Sequence, residues 1–246
     1  MELNKILDIK KGDMISIVGA GGKTTLMFLL ANELKNKGKV LVTTTTKIYN
    51  PSEEVDNLAL GEEGYKFLKS INDNGIYAYG EYINDENKLI GADVEILNGL
   101  TDSFDYILVE SDGSKRKDLK AWNNNEPVLS GITSNTIGVL SLKTINMEIN
   151  NENIHRLKEF TSLTNSKEGE KVNLDTLIEV IFNKKGLFKE AIGEKVLFLN
   201  KVDYINEDTL NLFLDKIISK NKEIKLLDKI VYGSLKNKSF KYINMQ

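Results

Sequence analysis

The chain has 246 residues, 41% apolar and 28% charged, which suits one large domain with a sizeable core and excludes a disordered, collagenous or coiled-coil sequence. Its 33 basic and 36 acidic residues leave a net charge of −3, so the summed field gives no reason to expect nucleic acid or an anionic membrane as a partner. Cysteine is absent, which removes disulfides, thiolate nucleophiles and thiolate-bound metals together.

The opening MELNKILDIKKGD lacks a basic flank leading into an apolar run, and no stretch reaches the roughly 20 apolar residues that span a bilayer. A soluble cytoplasmic protein is expected. Met14 to Val18 reads as a strand running into glycines. Lys23 to Lys37 follows with Leu26, Leu29, Leu30 and Leu34 at helical spacing, and Gly38 stops it. Lys39 to Val42 begins a second strand that continues into Thr43 to Thr46, completing a strand–helix–strand unit of a parallel sheet. Residues 49–100 are the least regular and are expected to form an insertion or lobe.

Further strands are predicted at Ile76 to Tyr79, Tyr106 to Val109, Thr136 to Leu142, Val196 to Leu199 and Lys229 to Tyr232. Helices are predicted at Asn151 to Phe160, Asn173 to Phe182 and Asn206 to Ser219. This alternation predicts a single α/β domain of the P-loop NTPase kind, its mostly parallel sheet covered by helices on both faces.

The strongest motif is Gly19-Ala20-Gly21-Gly22-Lys23-Thr24-Thr25, set between the first strand and first helix. Small residues let amides close around phosphate oxygens, the helix N-terminus adds its positive end, a lysine reaches the terminal phosphates and a hydroxyl binds Mg²⁺. Ile17 stands where the full P-loop pattern has its first glycine, so the turn is shortened. A lysine facing phosphates adds nothing to a core, so Lys23→Ala is expected to spare the fold.

Two later strands carry the remaining parts. Glu110 and Asp112 follow the Tyr106 strand, with Gly113 beside them, as the acid turn that holds Mg²⁺ in a nucleotide hydrolase. Asn200-Lys201-Val202-Asp203 follows the Val196 strand and fits the NKxD pattern. There the aspartate accepts from the guanine edge while the asparagine and the lysine stem brace the base. The cofactors expected are therefore Mg²⁺ and GTP, with ATP as the alternative.

Only Arg116 and Arg156 are arginine, in a chain otherwise driven toward lysine, which marks both as positions where a planar fork is needed. Arg116 lies in a basic stretch with Lys115, Lys117 and Lys120, directly after Gly113. Such a cluster stabilises developing charge at a γ-phosphoryl or receives a second anion, the alternative being a solvated loop.

GAGGKTT, VTTTTKI, ESDGSKRKDLKAWNNNEPV, the His155-Arg156 pair and LNKVD, in that order, resemble the YqeC family. The family is described as accessory proteins of selenium-dependent molybdenum hydroxylases. The resemblance implies a molybdenum hydroxylase or its maturation factors as partner, and a kinship with metal-centre maturation GTPases. It also implies contact of His155 or Arg156 with substrate or partner. Asp118 and Trp122 stand where the family pattern KRKPLKAP has its two prolines. The reading is Mg²⁺-dependent nucleotide binding and hydrolysis in the service of enzyme maturation. Its rivals are a small-molecule kinase or nucleotidyl transferase, and a nucleotide-gated binding module without turnover.

Overall fold

Met14, Ile15, Ile17 and Val18 are all buried, which is why the run ahead of the glycine turn becomes a strand with no face for water. A computed structural model describes residues 2–245, which group into two compact units. The first comprises the described residues up to Ile17, Lys23–Gly113 and Val128–Asn135. The second comprises Val18–Gly22, Ser114–Pro127 and the described residues from Thr136 on.

The first unit opens with a short helix α1 (Leu3–Ile6), whose first amides are accepted by the Glu33 carboxylate. Strand β1 (Asp13–Gly19) follows, its last two residues belonging to the second unit. Then come α2 (Lys23–Leu34), β2 (Lys39–Thr44), β3 (Lys47–Tyr49), β4 (Asn57–Leu60), α3 (Gly61–Ser70) and β5 (Gly75–Gly80). The unit closes with β6 (Tyr82–Ile83), β7 (Lys88–Ile90), α4 (Val94–Asn98) and β8 (Tyr106–Glu110).

Its main strands lie in the order β1-β8-β2-β5-β4, all parallel, and β3, β7 and β6 make a small antiparallel sheet. The register sets Ile17 and Thr44 on either side of Glu110, so β8 and β2 end level with one another. Met14, Leu41, Tyr79, Ile107 and Val109 form the core beneath, with Leu68 of α3 and Leu97 of α4.

The second unit contains β9 (Leu119–Lys120), β10 (Asn135–Ser141, from Thr136), β11 (Ile154–His155), α5 (Leu157–Thr164) and α6 (Leu174–Phe182). β12 (Glu194–Asn200), α7 (Glu207–Ile224), β13 (Lys229–Ser234) and β14 (Ser239–Asn244) complete it. The order is β10-β12-β13-β14, with β12 and β13 parallel and β14 antiparallel at the edge. β9 and β11 form a separate parallel pair. Asn173 caps α6 through the Thr176 amide, and Asn206 caps α7 through that of Thr209.

The class is α/β as expected, with nine main strands, mostly parallel, and helices flanking them. No helix among the described residues is long and apolar enough to cross a membrane. Residues 49–100 are more regular than expected, supplying β4 and β5 to the main sheet order and α3 between them. The helix expected from Asn151 begins only at Leu157. Arg156 has φ 62° in the left-handed region, which a right-handed helix cannot pass, and Ile154–His155 ahead of it is strand.

Candidate functional site

The glycine turn is closed in by its own unit. Gly21 has φ 80° and Gly22 φ 145°, conformations that disfavour any Cβ, and the space is also taken. A Cβ on Gly21 would run into Ser141, and one on Gly22 would meet the Asn200 amide. The Ala20 amide donates to the Val139 carbonyl at 3.0 Å. Ser141, fully buried against Gly21, is the one side chain among the described residues whose buried polar atom has no hydrogen-bond partner.

Lys23 and Thr24 open α2, whose first turn contains no acidic residue. Lys23 is buried, with its Nζ 3.4 Å from Glu110 and 3.2 Å from Asp112, both themselves buried. Burial opposes the charge, but Asp112 and then Glu110 outweigh it and hold the ammonium pKa above its ordinary value. Thr24 Oγ1 donates to Glu110 Oε2 at 2.6 Å. The lysine, the hydroxyl and both acids expected from sequence are thus together, while Thr25 is exposed.

The burial of Lys23 corrects the expectation that this lysine adds nothing to the fold. The oxygens of Thr24, Glu110 and Asp112 are the hard donors that Mg²⁺ takes. Mg²⁺ asks for one or two carboxylates rather than an all-protein cage, and no group of three or more His, Asp or Glu poised for a metal occurs among the described residues. The threonine run serves the local structure: the Oγ1 atoms of Thr43, Thr44 and Thr45 donate to the carbonyls of Tyr79, Glu110 and Val128.

In the second unit, Asn200 ends β12 and binds the turn directly. Its Nδ2 donates to the Gly21 carbonyl at 2.8 Å and its Oδ1 accepts from the Leu235 amide at 3.1 Å. Lys201, with φ 62°, pairs with Asp118 at 2.5 Å. Asp203 is exposed in the turn Val202–Tyr204. Asn200 and Lys201 therefore meet the glycine turn and the basic stretch, an arrangement their separation in sequence does not reveal.

Of the expected anion-binding cations, Lys115 and Arg116 are exposed on successive left-handed residues, with φ 49° and 63°. Lys117, Lys120 and Arg156 bind groups of the protein itself. Lys117 donates to the carbonyls of Asn151 and Ile154. Lys120 is buried and pairs with Glu126 at 3.1 Å, its ammonium 5.4 Å from the centre of the Trp122 ring. Arg156 grips the same carboxylate with Nε at 3.1 Å and Nη2 at 3.0 Å, so its fork is used, but on Glu126.

Glu126 gives up some stability of its charge to burial, yet the Arg156 hydrogen bond and Lys120 outweigh this and depress its pKa. His155 lies beside them, half-buried. Burial first, then Lys120 and Arg156, push its pKa down to about 4, so it is neutral near pH 7. Sequence reasoning missed Glu126, Asp118 and Ser141. The one readable signal was an acid standing alone in NNNEP, amid cations that need a counter-charge.

Residues 15–158 match the family described as YqeC protein. That span holds the glycine turn, the acid turn, the basic stretch and the His155-Arg156 pair, while Asn200 to Asp203 lie beyond it. The chain is also 29% identical over 197 residues to the YqeC protein of Escherichia coli (strain K12), covering 78% of this chain and 77% of that one. No solved structure matches. With more than half of its length inside the pattern that defines that family, the chain belongs to the YqeC family.

Proposed function

We propose that the protein binds and hydrolyses a nucleoside triphosphate with Mg²⁺, GTP preferred, as an accessory to the maturation of a molybdenum hydroxylase. The observation that carries the reading is the cluster of Lys23, Thr24, Glu110 and Asp112 at the start of α2, directly after the glycine turn. A buried ammonium held between two carboxylates is a cation stored at the place where phosphates would need it. The orphaned Ser141 hydroxyl against Gly21 adds a donor that lacks an acceptor.

In this reading the amides of Gly21 and Gly22 and the Lys23 ammonium hold phosphate oxygens. Thr24 with Glu110 or Asp112 would hold Mg²⁺, which would offset charge on the phosphates. Asn200 braces the base loop against the glycine turn, and the exposed Asp203 is free to accept from a guanine edge. Guanine preference and the link to a molybdenum hydroxylase rest on the Asn200 to Asp203 pattern and on the resemblance to the YqeC family.

Exposure of Lys115 and Arg116 favours a second reading, transfer of a phosphoryl or nucleotidyl group to an anionic acceptor. Thermal unfolding with GTP, ATP and no nucleotide, each with and without Mg²⁺, tests the first step. A nucleotide at 100 times its Kd adds about 2.7 kcal/mol. Phosphate release without any acceptor then supports hydrolysis, whereas release only on addition of an acceptor supports transfer. No stabilisation by any nucleotide refutes both.

A further inference from the structure

Gly21 is approached by more than Ser141. Where its Cβ would stand, the carboxylate Oδ1 of Asp118 is 3.1 Å away and the Asp118 carbonyl oxygen 3.2 Å. The carboxylate is held there by Lys201 Nζ at 2.5 Å, with Lys143 at 3.9 Å. Asn200, the neighbour of Lys201, meanwhile donates to the Gly21 carbonyl. An internal anion thus lies on the glycine turn and neutralises the lysine of the base loop. All these residues belong to one unit.

A nucleoside polyphosphate brings several negative charges. At the turn it meets the Asp118 charge as repulsion, while the one cation within hydrogen-bond reach of Asp118 is already taken. We propose that Asp118 is an internal competitor for the phosphate-binding turn. Its carboxylate rests against Gly21 and ties up Lys201, and nucleotide binding displaces it and releases Lys201 toward the ligand. The proposal rests on the reading that the glycine turn takes phosphates.

Asp118→Asn keeps the shape of the side chain and removes its charge. Calorimetric titration of the full chain with Mg²⁺-GTP and with inorganic triphosphate, which lacks a base, reads the effect. The variant should bind both at least tenfold more tightly than the parent, with the gain shrinking as salt is raised. Asp118→Glu, which restores the charge, should return affinity toward the parent. Asp118→Ser serves as the neutral variant if the asparagine fails to fold.

Equal or weaker binding by the neutral variants, with a parent that does bind, overturns the proposal alone and makes Asp118 a positioning residue for Lys201. If neither parent nor variant binds nucleotide or triphosphate, the reading of the glycine turn falls and the proposal with it.

Discussion

Removing the Lys23 ammonium leaves Glu110 and Asp112 buried without their cation, and an uncompensated buried charge is among the costliest single changes a fold can suffer. Lys23→Ala should therefore lose about 3–5 kcal/mol in urea unfolding. An unchanged midpoint would show that the pair contributes nothing. Ser141 predicts the opposite sign. Its buried hydroxyl lacks a partner, so Ser141→Ala should be neutral or stabilising by up to about 1 kcal/mol. A loss beyond about 2 kcal/mol would mean that the hydroxyl is bonded after all. At Asp203, if guanine is the base, Asp203→Asn should weaken GTP by roughly 1.5–3 kcal/mol and relatively favour xanthosine triphosphate, whose 2-oxo group suits an amide donor. Competition binding of the two nucleotides decides it, and equal ATP and GTP affinity in the parent would remove the guanine assignment.

Among the elements, the pair β9 and β11 is built around charge. Lys120 and His155 stand opposite each other in register, and Glu126 answers both Lys120 and Arg156. His155 titrates near 4 in the fold and near 6.5 when unfolded, so between those values the unfolded chain binds more protons. Stability should fall as pH drops from about 6.5 toward 4, by on the order of 1 kcal/mol once solvent screening is allowed for. Glu126, whose folded pKa is depressed, acts in a separate window, its contribution being lost only as pH falls below its usual 4.5. In His155→Asn the slope between pH 6.5 and 4.5 should flatten while the drop below 4.5 persists. Identical slopes in the two proteins would show that His155 is not buried neutral.

These elements also mark where sequence reading stops. Strands such as β8 and β12 were legible because their runs Tyr106 to Val109 and Val196 to Leu199 are buried throughout and therefore apolar at every position. The His155-Arg156 segment misled because Ile154, Leu157 and Phe160 recur every three residues, as on a helix, although one left-handed residue separates strand from helix. Helix α3 was hidden by Gly61 and Gly64. Gly64 is required because a Cβ there would collide with the Ala59 backbone, and glycine otherwise signals a turn.

For the whole molecule, the chain passes between its units at Ile17–Val18, Gly22–Lys23, Gly113–Ser114, Pro127–Val128 and Asn135–Thr136. Motif identity was readable from sequence, but this interleaving was not, since apolar periodicity reports what is buried and not by which partner. It predicts that residues 136–246 made alone will not unfold cooperatively. They lack Glu126 for Arg156 and Lys189, lack β9 for β11, and lack the turn that Asn200 holds. Circular dichroism melting of that fragment tests it, and a sharp transition would mean that the second unit is self-sufficient. Heredity meets the same constraint: a recombination point anywhere between Glu126 and Arg156 draws the two halves of that ion pair from different parents. Chimeras of divergent relatives should survive best when the whole stretch from the glycine turn to α5 is inherited as one block.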